Sequence, residues 1–424
     1  MKEDFLHYVW KYQKVNTSNL RTVTGDEVLV IHPGQPNYNS GPDFFNAQVK
    51  INGQLWAGNV ELHIKSSDWY VHQHEKDIAY NSIILHVVWE HDTDVFNKDG
   101  EPFETLQLKK YVNTKALNGY KKLFSTEQKW INCEHQFGNV APFIIENWLE
   151  RLYLERLQQK TVPILQQLSQ NNNHWEAVLF QMLSKNFGLK VNGASFFSIA
   201  TSVNFTVVQK SRMSVFELEA LFFGQAGLLE KEPTDEYFKI LQQKYNFLQH
   251  KFQFTKEGVI APKFFRLRPA NFPTIRLSQL ASLYTEKEHL FSTIIKAKTI
   301  EEYYAVFSCK ASTYWDTHFN FGVLTSKQGK VLTKKFIDLL LINTVIPLKF
   351  CYAQCEGKDI SEELMQLAAS ISKEENTIVK RFNALQPVAN TAMGSQGLLQ
   401  LKKAYCDPKK CLDCAVGNSL LNRT

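Results

Sequence analysis

The hydrophobic period changes once along the chain, near residue 130, and that change limits the possible folds more than any other feature. Before it, apolar residues come in short runs rich in β-branched and aromatic side chains: EVLVIHP (27–33), FFNAQVKI (44–51), LWAGNVELHIK (55–65), SIILHVVWE (82–90) and ETLQLKKYV (104–112). Each run is bounded by Gly, Pro, Asn or Asp, the punctuation of strands. Asn52-Gly53 between two of them is a two-residue hairpin signal. A helix precedes the set, with Phe5, Val9 and Tyr12 on one face and Glu3 and Asp4 in its first turn. A short helix or loop fills 68–80. After residue 140 the spacing is helical, as in FIIENWLERLYLERLQQK (143–160), WEAVLFQMLSKNFG (175–188), VFELEALFFGQAGLL (215–229) and DEYFKILQQKYNFLQHKF (235–252). Further helices are expected at 277–284, 300–308, 331–345, 360–384 and 395–405. The pattern predicts an α/β N-terminal domain with a mixed sheet over 1–130. A larger all-α C-terminal domain follows over 131–424 and ends in a cysteine-rich tail.

Composition narrows the class. A chain of 424 residues has room for two or three domains, and 44% hydrophobic with 21% charged residues excludes a disordered or fibrous protein. A net charge of +6 permits nucleic-acid binding without demanding it. The first residues lack the apolar core and cleavage site of a signal peptide. The most apolar stretch, 336–350, is interrupted by Asp338, Asn343 and Pro347 and reads as a buried helix rather than a membrane span. Seven cysteines, an odd number, fit a reducing compartment. The expectation is a cytoplasmic protein without a membrane partner.

Chemistry-bearing residues concentrate in 41–92. Alternate residues of a strand share a face, so Glu61, His63 and Lys65 point one way while Val60, Leu62 and Ile64 point into the core. A hairpin of 44–51 with 55–65 brings Asp43, at the start of the first strand, alongside 61–65. Two carboxylates, Asp43 and Glu61, then suit a hard divalent cation, magnesium or manganese. His63 and Lys65 suit the handling of water and of transition-state charge in phosphodiester hydrolysis. Glu3 on the first helix is an additional candidate. The bland alternative is a set of solvated or structurally paired groups around a common Pro-Asp turn.

The order helix, strand, strand with Gly41-Pro42-Asp43, strand with Glu61-x-His63, short helix, strand resembles the PD-(D/E)XK nuclease superfamily. That resemblance implies a restriction-endonuclease-like core over roughly the first 120 residues, with Asp43 and Glu61 as metal ligands. The superfamily's lysine two residues after the acid is His63 here, and Lys65 lies one step further along the same face. The strings GPDF, WAGNVELHIKSSDWYVHQH, YNSIILHVVW, RLRPANFPTIRLSQLA and the terminal CLDC also resemble a bacterial family known only as domain of unknown function 2851. This second resemblance extends over nearly the whole chain and implies no activity.

Other groups carry separate expectations. His72 and His74, near Asp68 and Asp77, suit zinc or contact with phosphate, and His86, inside an apolar strand, reads as a core histidine. Cys406, Cys411 and Cys414 form C-x4-C-x2-C, three ligands for zinc or an iron–sulfur cluster. The fourth is open among Cys351, Cys355 and Cys133, and reduced packing thiols are the alternative. Arg266, Arg268 and Arg276, interleaved with Phe264, Phe265 and Phe272, suit phosphate clamping and base stacking, against a plain structural role. No P-loop, dinucleotide fingerprint or nucleophile elbow occurs. The leading expectation is a metal-dependent nuclease acting on DNA or RNA. A nucleic-acid-binding protein with a degenerate nuclease fold, a hydrolase of small phosphoesters and a structural interaction protein are its rivals.

Overall fold

Helix α1 (Glu3–Lys11) carries Glu3 and Asp4 in its first turn and Lys11 in its last, each placed to complement the helix dipole. It buries Phe5, Leu6, Tyr8, Val9 and Trp10, and the Trp10 indole donates to the Pro33 carbonyl at 2.9 Å. The helix packs against a seven-stranded mixed sheet. Its strands are β1 (Leu20–Arg21), β2 (Glu27–His32), β3 (Gln35–Pro36), β4 (Phe44–Ile51), β5 (Gln54–Lys65), β6 (Ile83–Glu90) and β7 (Thr105–Gln107). Strand order is β1-β2-β4-β5-β6-β7, with β3 beside β4. The pairs from β1 to β5 are antiparallel, while β5–β6 and β6–β7 are parallel. The computed structural model describes residues 2–98, 100–125 and 129–423.

The β4–β5 hairpin turns at Asn52 and Gly53, both at positive φ (50° and 84°), as a tight right-twisting turn requires. A bulge between Phe44 and Ala47 lets Asn46 adopt a φ of 55° and re-aims the start of β4. The parallel β5–β6 connection contains the short helix α2 (Asp68–Val71) and two tight turns of 3-10 helix, His74–Lys76 and Ile78–Ser82. The expected strand 104–112 stops at Gln107, where the chain turns into a 3-10 helix at Leu108–Lys110.

The chain divides into two compact units, one of Met1–Trp148 with Leu401–Thr424 and the other of Leu149–Gln400. The first therefore contains the sheet, helix α3 (Thr114–Leu123), the segment around Cys133 and the cysteine tail. The second unit is largely helical. Its core gathers Phe180, Phe187, Phe196, Phe222, Phe223, Tyr303 and Trp315, all almost fully buried. The expected helix 360–384 is two helices, Ser361–Ser370 and Thr377–Leu385, because Asn376 caps the second by accepting from the Val379 N–H at 2.9 Å. The helix expected at 277–284 begins at Pro273, a residue suited to a first helical position. Among the described residues, one continuous helix, Lys334–Cys355, is long and apolar enough to cross a membrane, and 78% of its most apolar window is buried within the protein.

Candidate metal centre

Four elements converge on one corner of the sheet unit. Strand β4 begins just after Asp43, β5 supplies Glu61 and His63, α1 supplies Glu3 and His7, and the β5–β6 connection supplies His72 and His74. The β4–β5 register, which pairs Phe44 with Val60, brings the Asp43 end of β4 beside Glu61. The Asp43 N–H donates to Glu61 Oε2 and the Leu62 N–H donates to Asp43 Oδ2, each at 3.0 Å.

The histidines arrive for a local reason. Trp69 of α2 is buried with Tyr80, Ile83 and Val95, which anchors the connection on the sheet. Gln73 then takes a left-handed conformation (φ 60°), which ends the helix and turns the following residue back. The His74 ring stacks on Tyr80 at 3.9 Å and meets the Trp69 edge at 5.3 Å.

The donor atoms are spaced as neighbours in a coordination shell. His74 Nε2 lies 3.2 Å and His63 Nε2 3.8 Å from Glu61 Oε1, and His63 Nε2 lies 3.1 Å from His72 Nδ1. One ligand atom from each of His63, His72 and His74 falls within 4.8 Å of the others. Metal–ligand bonds of roughly 2.0–2.2 Å in a tetrahedral shell place adjacent donors roughly 3.3–3.6 Å apart, close to these spacings. His74 Nε2 is buried and makes no well-aligned hydrogen bond, despite its short distance to the Glu61 carboxylate. His63 is buried, His74 half-buried and His72 exposed, so the group opens to solvent on one side. His63 Nδ1 is 2.9 Å from His86 Nε2, the outer contact that orients a ligating imidazole.

Charge is concentrated here. Burial and the neighbouring Asp43 push Glu3 up to about 7, and Glu61 and Asp68 add to the effect. Glu61 is also raised, by burial first and with Asp43 adding to it, against the opposing pull of the nearby His74. Burial alone would lower His7, but Asp43 at 3.2 Å from its Nε2, with Glu3 and Glu61, carries it above its ordinary value. Burial and the surrounding imidazoles push His63 down to about 2, and burial pushes His86 down to about 3. Both are therefore neutral, the form that ligates a metal.

The structure brings together Asp43, Glu61, His63, His72 and His74. Lys65 is not among them. It ends β5, is exposed, and lies 4.0 Å from Asp92. Asp92 is fixed by the Ser66 and Ser67 hydroxyls and the Ser67 N–H. His86 is fully buried in β6, as expected of a core histidine, and its ring contact there is His63. His7 was not foreseen, although it sits four residues after Glu3 and so on the same helical face.

Arg276 does not serve as a surface clamp. It is buried, donates to Gln279 Oε1 at 2.8 Å and Asn271 Oδ1 at 2.6 Å, and lies 3.6 Å over the Phe336 ring. Arg266 and Arg268 are exposed. Cys351 and Cys355 lie four apart on one helix of the second unit and interact with each other.

Against known proteins, no curated protein and no solved structure was found to match. The profile of a family described as "Protein of unknown function (DUF2851)" matches residues 3–377, nearly the whole chain, and ends before the cysteine tail. The CLDC string therefore lies outside the matched span. The chain belongs to the DUF2851 family, proteins of unknown function.

Proposed function

We propose that this protein is a metal-dependent phosphodiesterase acting on nucleic acid. One divalent ion would be held by Glu61 Oε1, His63 Nε2, His72 Nδ1 and His74 Nε2. The observation that carries the reading is the gathering of one ligand atom from each of His63, His72 and His74 within 4.8 Å of one another, with the buried Glu61 Oε1 3.2 Å from His74 Nε2 and 3.8 Å from His63 Nε2. Three imidazoles favour manganese, zinc or iron over magnesium, which prefers an all-oxygen shell. A bound ion of this kind supplies Lewis acidity toward a phosphate oxygen and a more acidic water. His7, paired with Asp43, is placed to take up or deliver a proton, and Asp43 favours its charged form. The Asp43 and Glu3 carboxyl groups beside the site are suited to orienting water or a second cation, Glu3 once it is deprotonated above about 7.

The order of elements supports a restriction-endonuclease-like core. A helix precedes an antiparallel β2-β4-β5 meander, and a short helix leads to β6, parallel to β5. A cavity of about 270 Å³, lined in part by His7, Lys11, Tyr12, Tyr38, Lys409 and Lys410, supports a polynucleotide substrate. Lysines neutralise backbone phosphates and tyrosines stack on bases. Cysteines without disulfides suit a cytoplasmic enzyme.

The test uses labelled single- and double-stranded DNA and RNA and a chromogenic phosphodiester, each with manganese, zinc or magnesium. Wild type is compared with His72→Ala/His74→Ala and Asp43→Asn. Cleavage of a polynucleotide by wild type and its loss in both variants is the expected result. Turnover of the chromogenic ester alone would move the substrate to small phosphodiesters. Folded, metal-loaded protein that cleaves nothing would overturn the catalytic reading and leave a binding protein with a degenerate site.

A further inference from the structure

The tail cysteines meet a fourth cysteine from far upstream. Cys133, Cys411 and Cys414 are buried, Cys406 is half-buried, and none forms a disulfide. All four belong to the sheet unit, whereas Cys351 and Cys355 belong to the other. Cys133 and Cys406 lie close enough to each other, and to Cys411 and Cys414, for a charge on one to be felt by the others.

The local backbone shapes this corner. Cys406 closes a wide helical turn (Leu401–Cys406). The Lys409 N–H donates to the Cys406 carbonyl at 3.1 Å and the Lys410 N–H to the Tyr405 carbonyl at 2.8 Å, with Lys409 at a φ of 58°. A 3-10 turn at Cys411–Asp413 follows, closed by the Cys414 N–H on the Cys411 carbonyl at 3.3 Å. Cys414 directly precedes the terminal helix (Ala415–Arg423). Gly417 permits the close crossing of these pieces, since a Cβ there would stand 2.0 Å from the Cys411 oxygen.

The sulfurs are also supplied with donors. The backbone N–H groups of Val416 and Gly417 are directed at the Cys414 sulfur, and the Asn132 side chain at that of Cys411. Burial pushes all four thiols up, and these donors act against it, favouring a thiolate. Lys402 adds positive charge near Cys406 and Lys409 near Cys411. A thiol packed only for its apolar character needs none of these. A sulfur carrying negative charge toward a metal uses them all.

We infer that Cys133, Cys406, Cys411 and Cys414 are the four ligands of an iron–sulfur cluster that fastens the C-terminal tail to the sheet unit. A single zinc ion would draw its sulfurs to within about 4 Å of one another, and among the described residues it is the three histidines, not these cysteines, that are gathered so closely. The cluster would fix the turn carrying Lys409 and Lys410, which lines the cavity beside His7. The inference does not depend on the phosphodiesterase reading, because a tail so fastened holds whether or not the histidine site is catalytic.

The full chain is purified anaerobically without chelator and assayed for zinc, iron and sulfide. Iron with sulfide, and visible absorption bleached by dithionite, are expected, and zinc without iron or sulfide would overturn the cluster. The sulfide and the visible absorption are expected to be lost in Cys133→Ser and Cys414→Ser, and retained in Cys351→Ser/Cys355→Ser and in His72→Ala/His74→Ala. Retention in full by Cys133→Ser would overturn the inference, as would wild type that holds no cluster after iron–sulfide reconstitution. Should the serine variants fail to fold, thiol alkylation of wild type before and after removal of the cluster counts the ligands. Four cysteines, Cys133, Cys406, Cys411 and Cys414, are expected to be protected until the cluster is removed, and fewer would overturn the assignment.

Discussion

Asp43 and Glu61 hold each other's strands: the Asp43 N–H donates to Glu61 Oε2, and the N–H next to Glu61, that of Leu62, donates to Asp43 Oδ2, both at 3.0 Å. The reciprocity carries the pairing of the two strands past its last register pair, Phe44 with Val60. It uses one oxygen of Glu61 and leaves Oε1 facing His63 and His74. The same two side chains therefore close the sheet and shape the candidate centre.

That double role separates two substitutions at one position. Asp43→Asn keeps an acceptor for the Leu62 N–H, while Asp43→Ala leaves that N–H without one. The alanine variant should lose about 1–3 kcal/mol of unfolding free energy and the asparagine variant clearly less. Urea unfolding of both measures the difference, and equal stabilities would show that the clasp contributes nothing.

The His86 ring meets the centre at His63. Its replacement by Phe preserves bulk in the buried strand and removes the 2.9 Å contact that orients the ligating ring. Affinity for zinc or manganese should fall by roughly 10–100-fold with the fold retained, the effect typical of an outer-shell partner. Competition titration against a chromophoric chelator reads this, and unchanged affinity would remove His86 from the site.

Lys160 of the second unit gives a pH dependence. Its enclosed ammonium, with Ile342 O at 3.3 Å and Asn343 Oδ1 at 3.5 Å, is pushed down from 10.5 to about 7, by burial first and by Arg156 second. Between those values the unfolded chain holds the proton and the folded chain releases it, so this residue makes stability rise with pH from about 7 toward 10.5. Below about 7 both states are protonated and the burial penalty is constant. Lys160→Met should stabilise the protein most at neutral pH, by an amount on the order of 1–3 kcal/mol, and hardly at all near pH 10.5. Melting temperatures across this range test it, and a gain independent of pH would contradict the assignment.

Glu219 is a fully buried carboxylate whose partners are all in place. It accepts from Tyr237 Oη at 2.6 Å, Ser278 Oγ at 2.5 Å and Trp315 Nε1 at 3.1 Å. Glu219→Ala strands three donors in the core and should cost about 3 kcal/mol or more. Glu219→Gln keeps one acceptor oxygen and should cost less. Denaturant midpoints for the two variants decide this, and a neutral alanine substitution would refute it.

Much of the first unit is legible in local sequence. The Asn52-Gly53 turn, the β4 and β5 runs and the acids of α1 are nearest-neighbour effects of backbone conformation and dipole. The pairing of Asp43 with Glu61 follows from hairpin arithmetic. Lys65 departs because alternation holds only while the strand lasts, and β5 ends at that residue. His74 is a candidate for zinc or phosphate from its sequence, but its meeting with Glu61 could not be read in advance, since its direction depends on a left-handed Gln73 and on the ring of Tyr80. Helix Leu189–Thr201, LKVNGASFFSIAT, has weak local propensity and forms because it is packed against the preceding helix, Trp175–Phe187.

The sequence by itself determined the change from strand to helical periodicity, the hairpin that carries the acids, and the three cysteines of the tail, because each depends on residues within a few positions of one another. The tertiary structure decided which distant groups meet: His7 with Asp43, His74 with Glu61, His63 with His86, and Cys133 with the tail. Those meetings depend on sheet order, on the parallel crossover and on the tail's return to the sheet unit. Local periodicity carries no record of them, because the burial of apolar faces that drives them is a property of the whole unit.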